Sequence, residues 1–141
     1  MLKVIPAIER AAHQIGSRIQ GISGVNVTHA EAHVLAFLHV HSPVSIDAIH
    51  WSIGHKRSTL TSILRRLESR GYITRRSSDT DRRSFIIDLS PAGEKAAARI
   101  YRLLERLERE ITRSVPPRDI RSFLRVLSSV EKRDEHSSRG S

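Results

Sequence analysis

The stretch that decides the fold runs from residue 56 to residue 73 and reads KRSTLTSILRRLESRGYI. Its apolar residues recur at helical spacing, which predicts an amphipathic helix over residues 56–70 that ends at Gly71. The buried face of this helix is expected to hold Leu60, Ile63, Leu64 and Leu67. At about 100° per residue, the opposite face carries hydroxyl and arginine side chains, namely Ser58, Ser62, Arg65 and Ser69.

A second, shorter helix is predicted directly before this one. Ser45 is its expected N-cap, and the helix continues through Ser52 with isoleucines on its inner side. Gly54 then ends it as a left-handed cap. Two short helices joined by a tight turn that contains glycine are typical of a helix-turn-helix.

The pattern changes its period after Gly71. Residues 72–77 and 84–89 read as two strands, and the polar residues 78–82 between them read as a turn. Phe85, Ile87 and Leu89 alternate with polar neighbours in the second strand, although Ile86 interrupts the alternation. The sequence therefore predicts a β-hairpin, or wing, immediately after the second helix of the helix-turn-helix.

Helices are predicted on both sides of this module. Thr28 and Glu31 have the spacing of a capping box and open a helix, and Ser90-Pro91 is an N-cap followed by proline. The fold class is thus mostly α with a small β-hairpin wing (α+β), a winged helix-turn-helix core flanked by N- and C-terminal dimerisation helices. The expected organisation is an N-terminal dimerisation helix, the DNA-binding module, C-terminal dimerisation helices and a flexible tail, at residues 1–27, 28–90, 91–133 and 134–141.

The charge of the chain is unevenly distributed. The net charge is +9, and nine basic and three acidic residues between His55 and Arg83 account for +6 of it. Such a patch favours a polyanionic partner, nucleic acid first and an anionic membrane second. The sequence contains no cysteine, which excludes disulfides, cysteine-based zinc fingers and thiol redox switches. No signal peptide or membrane-spanning run is seen, so a cytoplasmic, nucleoid-associated location and no membrane partner are expected.

Double-stranded DNA is the partner that the position of this charge favours. Small hydroxyls let a helix lie deep in the major groove, where arginine can bind guanine, and an arginine in the wing can enter the narrow minor groove. The predicted recognition-helix contacts are Lys56, Arg57, Ser58, Thr59, Thr61, Ser62, Arg65 and Arg66. The predicted wing contacts are Arg75, Arg76, Asp81, Arg82 and Arg83, with Asp81 holding an arginine rather than touching DNA.

The flanking helices carry apolar stripes too extensive for one small module to cover, which predicts a homodimer. Two copies would place their recognition helices about one DNA turn apart, so a pseudo-palindromic operator is expected. The predicted dimer-interface residues are Ile5, Ile8, Ile15, Ile19, Ile100, Leu104, Leu107, Ile111, Ile120, Phe123 and Leu127.

Two motifs in this chain resemble the MarR (multiple antibiotic resistance regulator) family of transcriptional regulators. Residues 56–73 are similar to the family's recognition helix, and DTDRRS at residues 79–84, followed by LSPAG at 89–93, is similar to its wing and next helix. The resemblance covers nearly the whole chain and implies that Arg83, with Asp81, is the minor-groove residue. It also implies a repressor released by a small aromatic or anionic ligand, bound by the first, second and fifth helices with His13, His33 and Arg18 as conceivable contacts. His55 and Lys56 stand where the family has a hydrophobic residue and a Ser/Thr cap.

Other interpretations stay open at this point. The sequence contains eight histidines, and His29 and His33 are four residues apart, which leaves a zinc-responsive regulator as an alternative. Because the sequence shows no recognisable set of metal ligands, no metal and no cofactor is predicted. A winged module that binds only protein is a further alternative. No nucleophile–base pair or phosphate-binding loop is seen, so an enzyme is not expected. Trp51 is predicted to pack on a neighbouring helix, to line a ligand cavity or to touch a backbone phosphate.

Overall fold

A computed structural model describes the chain over residues 1–22, 24–80 and 84–137. Contacts within the chain separate it into two compact units, Met1–Leu103 and Leu104–Ser141. No helix in the described part of the chain is long and apolar enough to cross a membrane. In chain order the elements are α1 (Val4–Gln20), α2 (His29–His41), β1 (Val44–Ser45), α3 (Ile46–Ile53), α4 (Arg57–Ser69), β2 (Ile73–Ser77), β3 (Phe85–Leu89), α5 (Pro91–Ser114) and α6 (Pro117–Ser137).

Helix α2 begins with the capping box that its sequence predicts. The Thr28 hydroxyl accepts the backbone N–H of Glu31 at 3.2 Å, and the Glu31 carboxylate accepts the backbone N–H of Thr28 at 3.2 Å. Two of the N–H groups that a helix leaves unpaired at its start are thereby satisfied. The prediction of this helix start is confirmed.

Helix α3 begins and ends at the caps that its sequence predicts. The Ser45 hydroxyl accepts the backbone N–H of Ala48 at 3.2 Å, and Gly54 takes a left-handed φ of 77° at the end of α3. Lys56 stands at the N-cap of α4 and makes no side-chain cap hydrogen bond. A residue with a side chain at Gly54 would be strained, because L-residues rarely adopt positive φ.

The core of the first unit forms around the inner face of α4. Leu60, Ile63, Leu64 and Leu67 are all fully buried, which confirms the predicted apolar face. They share this core with fully buried residues of α2, α3 and β3, namely Leu35, Leu38, Ile49 and Ile87. The outer face of α4 is left free to carry polar side chains.

The sheet has one strand more than the sequence predicts. Strands β2 and β3 form the expected antiparallel hairpin, with Arg75 opposite Ile87. The two-residue strand β1 pairs with the other edge of β3, Val44 opposite Ile87, so the order is β1-β3-β2. Ile86, which interrupts the alternation of β3, lies opposite Ser45 of β1. Phe85 is 37% exposed, so of the alternating residues only Ile87 is fully buried.

Helix α5 begins in close contact with the residue that leads into the wing. The Ser90 hydroxyl accepts the backbone N–H of Gly93 at 3.0 Å, and the Ser90 backbone N–H donates to the Tyr72 carbonyl at 3.0 Å. A Cβ on Gly93 would lie 1.8 Å from that carbonyl oxygen. The SPAG segment therefore requires glycine at its last position for a steric reason.

Two of the predicted dimer-interface residues belong to the core of the single chain. Ile19 and Ile100 expose 2% and 0% of their surface within the first unit. Placing them at a dimer interface is therefore wrong, because they have no surface to offer a partner. The residues of α1 that remain exposed on the same stripe are Ile5 and Ile15.

The second unit consists of the end of α5 and the whole of α6. Both helices carry large apolar side chains about half exposed, namely Ile111, Phe123, Leu124, Val126 and Val130. Helix α6 continues to Ser137, so residues 134–137 of the predicted flexible tail are helical. Residues 138–141 lie outside the described residues.

Candidate nucleic-acid interface

The outer face of α4 is a polar, basic surface opposite the buried leucines. Every predicted contact from Lys56 to Arg66 is exposed, and along the centre of this face lie Ser58, Ser62 and Arg65. No described residue forms an ion pair with Arg65. The face therefore offers hydroxyls and one available guanidinium group to a partner.

The N-terminal end of α4 is tied to α3. An Arg57 guanidinium N–H donates to the Asp47 carboxylate at 2.8 Å, with both side chains more than half exposed. The Thr61 hydroxyl donates to the carbonyl of Arg57 at 2.8 Å, so its single proton is already used inside the helix. Arg57 and Thr61, both predicted to contact DNA, thus have intramolecular partners in this structure.

The C-terminal end of α4 is tied to α2 through Glu31, which is completely buried. Arg66 donates from Nε to one Glu31 oxygen at 2.9 Å, and Arg70 donates to the other at 2.8 Å. Arg70 also donates to the carbonyl of Asn26 at 2.6 Å. Arg66, predicted to contact DNA, thus has an intramolecular ion-pair partner in this structure.

The sequence pattern identifies Glu31 only as part of a helix cap. Its second role is signalled by Arg66 and Arg70, which are four residues apart and so lie above one another on one side of the helix. A partner 35 residues away could not be inferred from that spacing alone.

The base of the wing contacts α4 through Arg75. Arg75 lies 3.4 Å from the Glu68 carboxylate and 5.2 Å over the centre of the Phe85 ring, which are the distances of an ion pair and a cation–π contact. Arg76, on the next position of β2, is exposed. Asp81, Arg82 and Arg83, the predicted tip of the wing, lie outside the described residues.

Trp51 is 80% exposed, so the prediction that it packs on a neighbouring helix is wrong. The centroid of its ring lies 6.3 Å from that of the His50 ring. Trp51 lies one helical turn after Asp47, on the same side of α3 as the carboxylate that binds Arg57.

The histidines do not assemble into a metal site within the described residues. No group of three or more histidine or acidic side chains there has the arrangement to hold a metal ion. The rings of His33 and His55 lie edge to face, 6.5 Å apart. Desolvation lowers the pKa of His33 from its ordinary value of 6.5, and the nearby His55 and His29 lower it further.

A polar cavity of about 310 Å³ lies between the α1–α2 connection and the end of α4. His13, His33 and Arg18, the conceivable ligand contacts, do not line it. Its walls are formed by Gln20, Val25, Asn26, Val27, Thr28 and Arg70.

These features define a winged helix-turn-helix protein with a basic, hydroxyl-bearing second helix. The MarR family model matches residues 27–85, which include the whole helix-turn-helix and most of the wing. The winged helix-turn-helix module of the chain is thus similar to that of the MarR family.

Two curated proteins and one solved structure illustrate the similarity. A protein assigned as a transcriptional regulatory protein for the hcr operon of Thauera aromatica is 26% identical over 67% of this chain and 57% of its own length. The organic hydroperoxide resistance transcriptional regulator of Bacillus subtilis (strain 168) is 32% identical over 49% of this chain and 47% of its own. The chain thus spans about half the length of these relatives. The S. aureus MepR–DNA complex has a TM-score of 0.78 at 17% identity, covering 94% of this chain and 98% of that one.

Proposed function

We propose that the protein is a homodimeric transcriptional regulator that binds specific sites in double-stranded DNA. The observation that carries this proposal is the outer face of α4, where Ser58, Ser62 and Arg65 are exposed directly behind a buried apolar face. The two curated relatives are named as transcriptional regulators, and MepR was solved with DNA. These similarities support a regulator rather than an enzyme.

In this proposal α4 enters the major groove and the wing reaches the minor groove beside it. Arg65 binds a guanine edge or a phosphate, and the serine hydroxyls allow close approach to base edges. Arg76 is placed to contact a phosphate. At the tip, Arg83 enters the minor groove and Asp81 orients it.

The apolar side chains that remain exposed on α1, α5 and α6 supply the dimer interface. Ile5, Ile15, Ile111 and Phe123 each leave more than a third of their surface in water. Burying such side chains against a second copy is favourable and would set two recognition helices against one pseudo-palindromic site. In this organisation residues 28–90 bind DNA, while residues 1–27 and 91–133 hold the dimer together.

The regulator acts in the cytoplasm as a repressor that a small aromatic or anionic ligand releases. One curated relative is named for organic hydroperoxide resistance. Because this chain has no cysteine, its signal is not read by thiol oxidation. Reversible binding of a small molecule remains as the simpler route to release.

Selection of genomic DNA fragments by the purified protein tests the proposal. We expect enrichment of one pseudo-palindromic sequence, bound with an affinity that falls steeply as salt rises. Absence of any salt-dependent affinity for duplex DNA would favour a winged module that binds only protein. Stoichiometric zinc, with operator affinity that changes on chelation, would favour a metal-responsive regulator instead.

Two substitutions then test the assignment of residues. Arg65→Ala and Arg83→Ala should each make the slope of log K against log salt shallower by about 0.9 for each phosphate that the variant no longer neutralises. Arg121→Ala, on an exposed position of α6, changes the charge equally and serves as the control. If Arg83→Ala left both affinity and slope unchanged, the wing assignment would be wrong.

A further inference from the structure

The Glu31 carboxylate accepts three hydrogen bonds. It is fully buried; one oxygen accepts from Arg66, and the other accepts from Arg70 and from the backbone N–H of Thr28. Taking a carboxylate out of water is costly unless charged donors compensate for the lost hydration. If either arginine moved away, the buried carboxylate would lose part of this compensation. Arg66 and Arg70 are therefore held in place by the burial of their partner.

The two arginines would otherwise extend towards solvent beside the proposed DNA-binding face. At 3.6 residues per turn, Arg66 and Arg70 lie about 60° and 100° around α4 from the centre of the Ser58–Ser62 face. Their side chains remain 48% and 39% exposed even when paired. Long, flexible guanidinium side chains on the flank of a groove-binding helix are those that reach the phosphates at the groove edges.

We propose that Glu31 determines specificity, by keeping Arg66 and Arg70 of the recognition helix away from DNA phosphates. The inference rests on the proposed DNA-binding function. Phosphate contacts supply essentially all of the affinity for non-specific DNA, whereas operator recognition adds contacts to base edges. Keeping two guanidinium groups away from DNA therefore weakens non-specific binding proportionately more than operator binding. The ratio of operator affinity to non-specific affinity rises as a result.

This role differs from simple structural support in the direction of its effect. Loss of a structural support weakens binding to every duplex. Loss of a residue that sequesters arginines strengthens binding to random duplex DNA, because each released guanidinium gains a phosphate as its partner.

Glu31→Gln is the informative substitution, because glutamine keeps the size of the side chain and also serves in a capping box. We expect the slope of log K against log salt on a random-sequence duplex to steepen by about 1.8 per protomer, or about 0.9 for each arginine released. Between 50 and 200 mM salt this amounts to an additional decrease in affinity of about 12-fold per protomer. At low salt the variant should bind random duplex more tightly than the wild type and should discriminate the selected operator less well.

Glu105→Gln is the matched control, since it removes one negative charge from an exposed position on α5. If Glu31→Gln and Glu105→Gln gave the same salt slope and the same ratio of operator to random affinity, the proposal would be overturned. Circular dichroism at the assay temperature establishes that the Glu31 variant is folded.

A second pair of variants decides the matter even if Glu31→Gln does not fold. Arg66→Gln should leave the salt slope of the wild type unchanged, because Arg66 contacts no phosphate, whereas Arg76→Gln, at the exposed position proposed to contact a phosphate, should make it shallower by about 0.9. An equal reduction of slope in the two variants would overturn the proposal. If the wild type itself shows no salt-dependent affinity for duplex DNA, the proposed function has failed, and this inference falls with it.

Discussion

Gly93→Ala is the substitution whose consequence the structure defines most sharply. The new Cβ would lie 1.8 Å from the Tyr72 carbonyl oxygen, whereas ordinary van der Waals contact begins at 3.4 Å. The first turn of α5 would have to move by the difference, 1.6 Å. The obstacle is backbone, so rotation of a side chain cannot relieve it.

The movement breaks a small set of bonds at the junction. These are the Ser90 cap on the Gly93 N–H, the Ser90 N–H bond to Tyr72, and the Ser90 hydroxyl bond to the Gly71 carbonyl. At about 1 kcal/mol each, breaking them costs about 3 kcal/mol. Alanine recovers about 1 kcal/mol through its higher helix propensity. The net decrease in the free energy of unfolding is therefore about 2 kcal/mol, which lowers Tm by about 6 °C.

Thermal and urea unfolding at one fixed protein concentration measures this decrease, since unfolding of a dimer depends on concentration. Gly21→Ala is the control, because its Cβ would approach no atom nearer than 3.4 Å and its φ is −75°. We expect this control to be neutral or to stabilise by up to about 1 kcal/mol. A Gly93→Ala protein within about 0.5 kcal/mol of wild type would refute the argument, by showing that the junction moves freely.

Three further outcomes are expected. Because the pKa of His33 is lowered in the folded chain, the free energy of unfolding has its full value above pH 6.5 and falls as the pH drops from 6.5 through the lowered pKa. His33→Gln should therefore flatten this part of a curve of Tm against pH. An equal effect of His13→Gln would contradict the assignment to His33. Phe123→Ala should weaken the proposed dimer by about 30-fold, because each protomer loses the burial of one half-exposed ring, at about 1 kcal/mol per ring. Sedimentation equilibrium should show this weaker association, with Ser122→Ala unchanged. An unaltered dimer would place the interface elsewhere. Thr28→Ala should cost about 1 kcal/mol by urea unfolding, and a cost smaller than about 0.3 kcal/mol would mean that Glu31 caps α2 unaided.

The parts of the fold that could be predicted from sequence are those fixed by neighbours along the chain. The Thr28–Glu31 box, the Ser45 cap and the left-handed Gly54 are local devices, and their residue types reveal them. Strand β1 cannot be predicted from the sequence, because two residues are too few to display a period of two. Its pairing with β3 is known only once the hairpin folds back.

In the candidate site too, local periodicity could be predicted from the sequence, whereas contacts between helices could not. Helical periodicity was enough to place Ser58, Ser62 and Arg65 on one exposed face. It could not show that Arg66 is paired with Glu31, because that contact depends on how α2 packs against α4. For the same reason an apolar stripe did not distinguish Ile19, buried in its own chain, from Ile15, which remains exposed.

Strand β3 has a mechanical consequence for how this protein can be controlled. One of its edges holds β1, from which α3 departs, and its other edge holds β2, which continues from α4. The wing and both helices of the helix-turn-helix are thus anchored to a single strand, and a force on any one of them is shared by the others. In the proposed dimeric regulator, a signal that lowers operator affinity is therefore expected to change the separation or tilt of the two winged modules on the double helix, rather than the shape of either module.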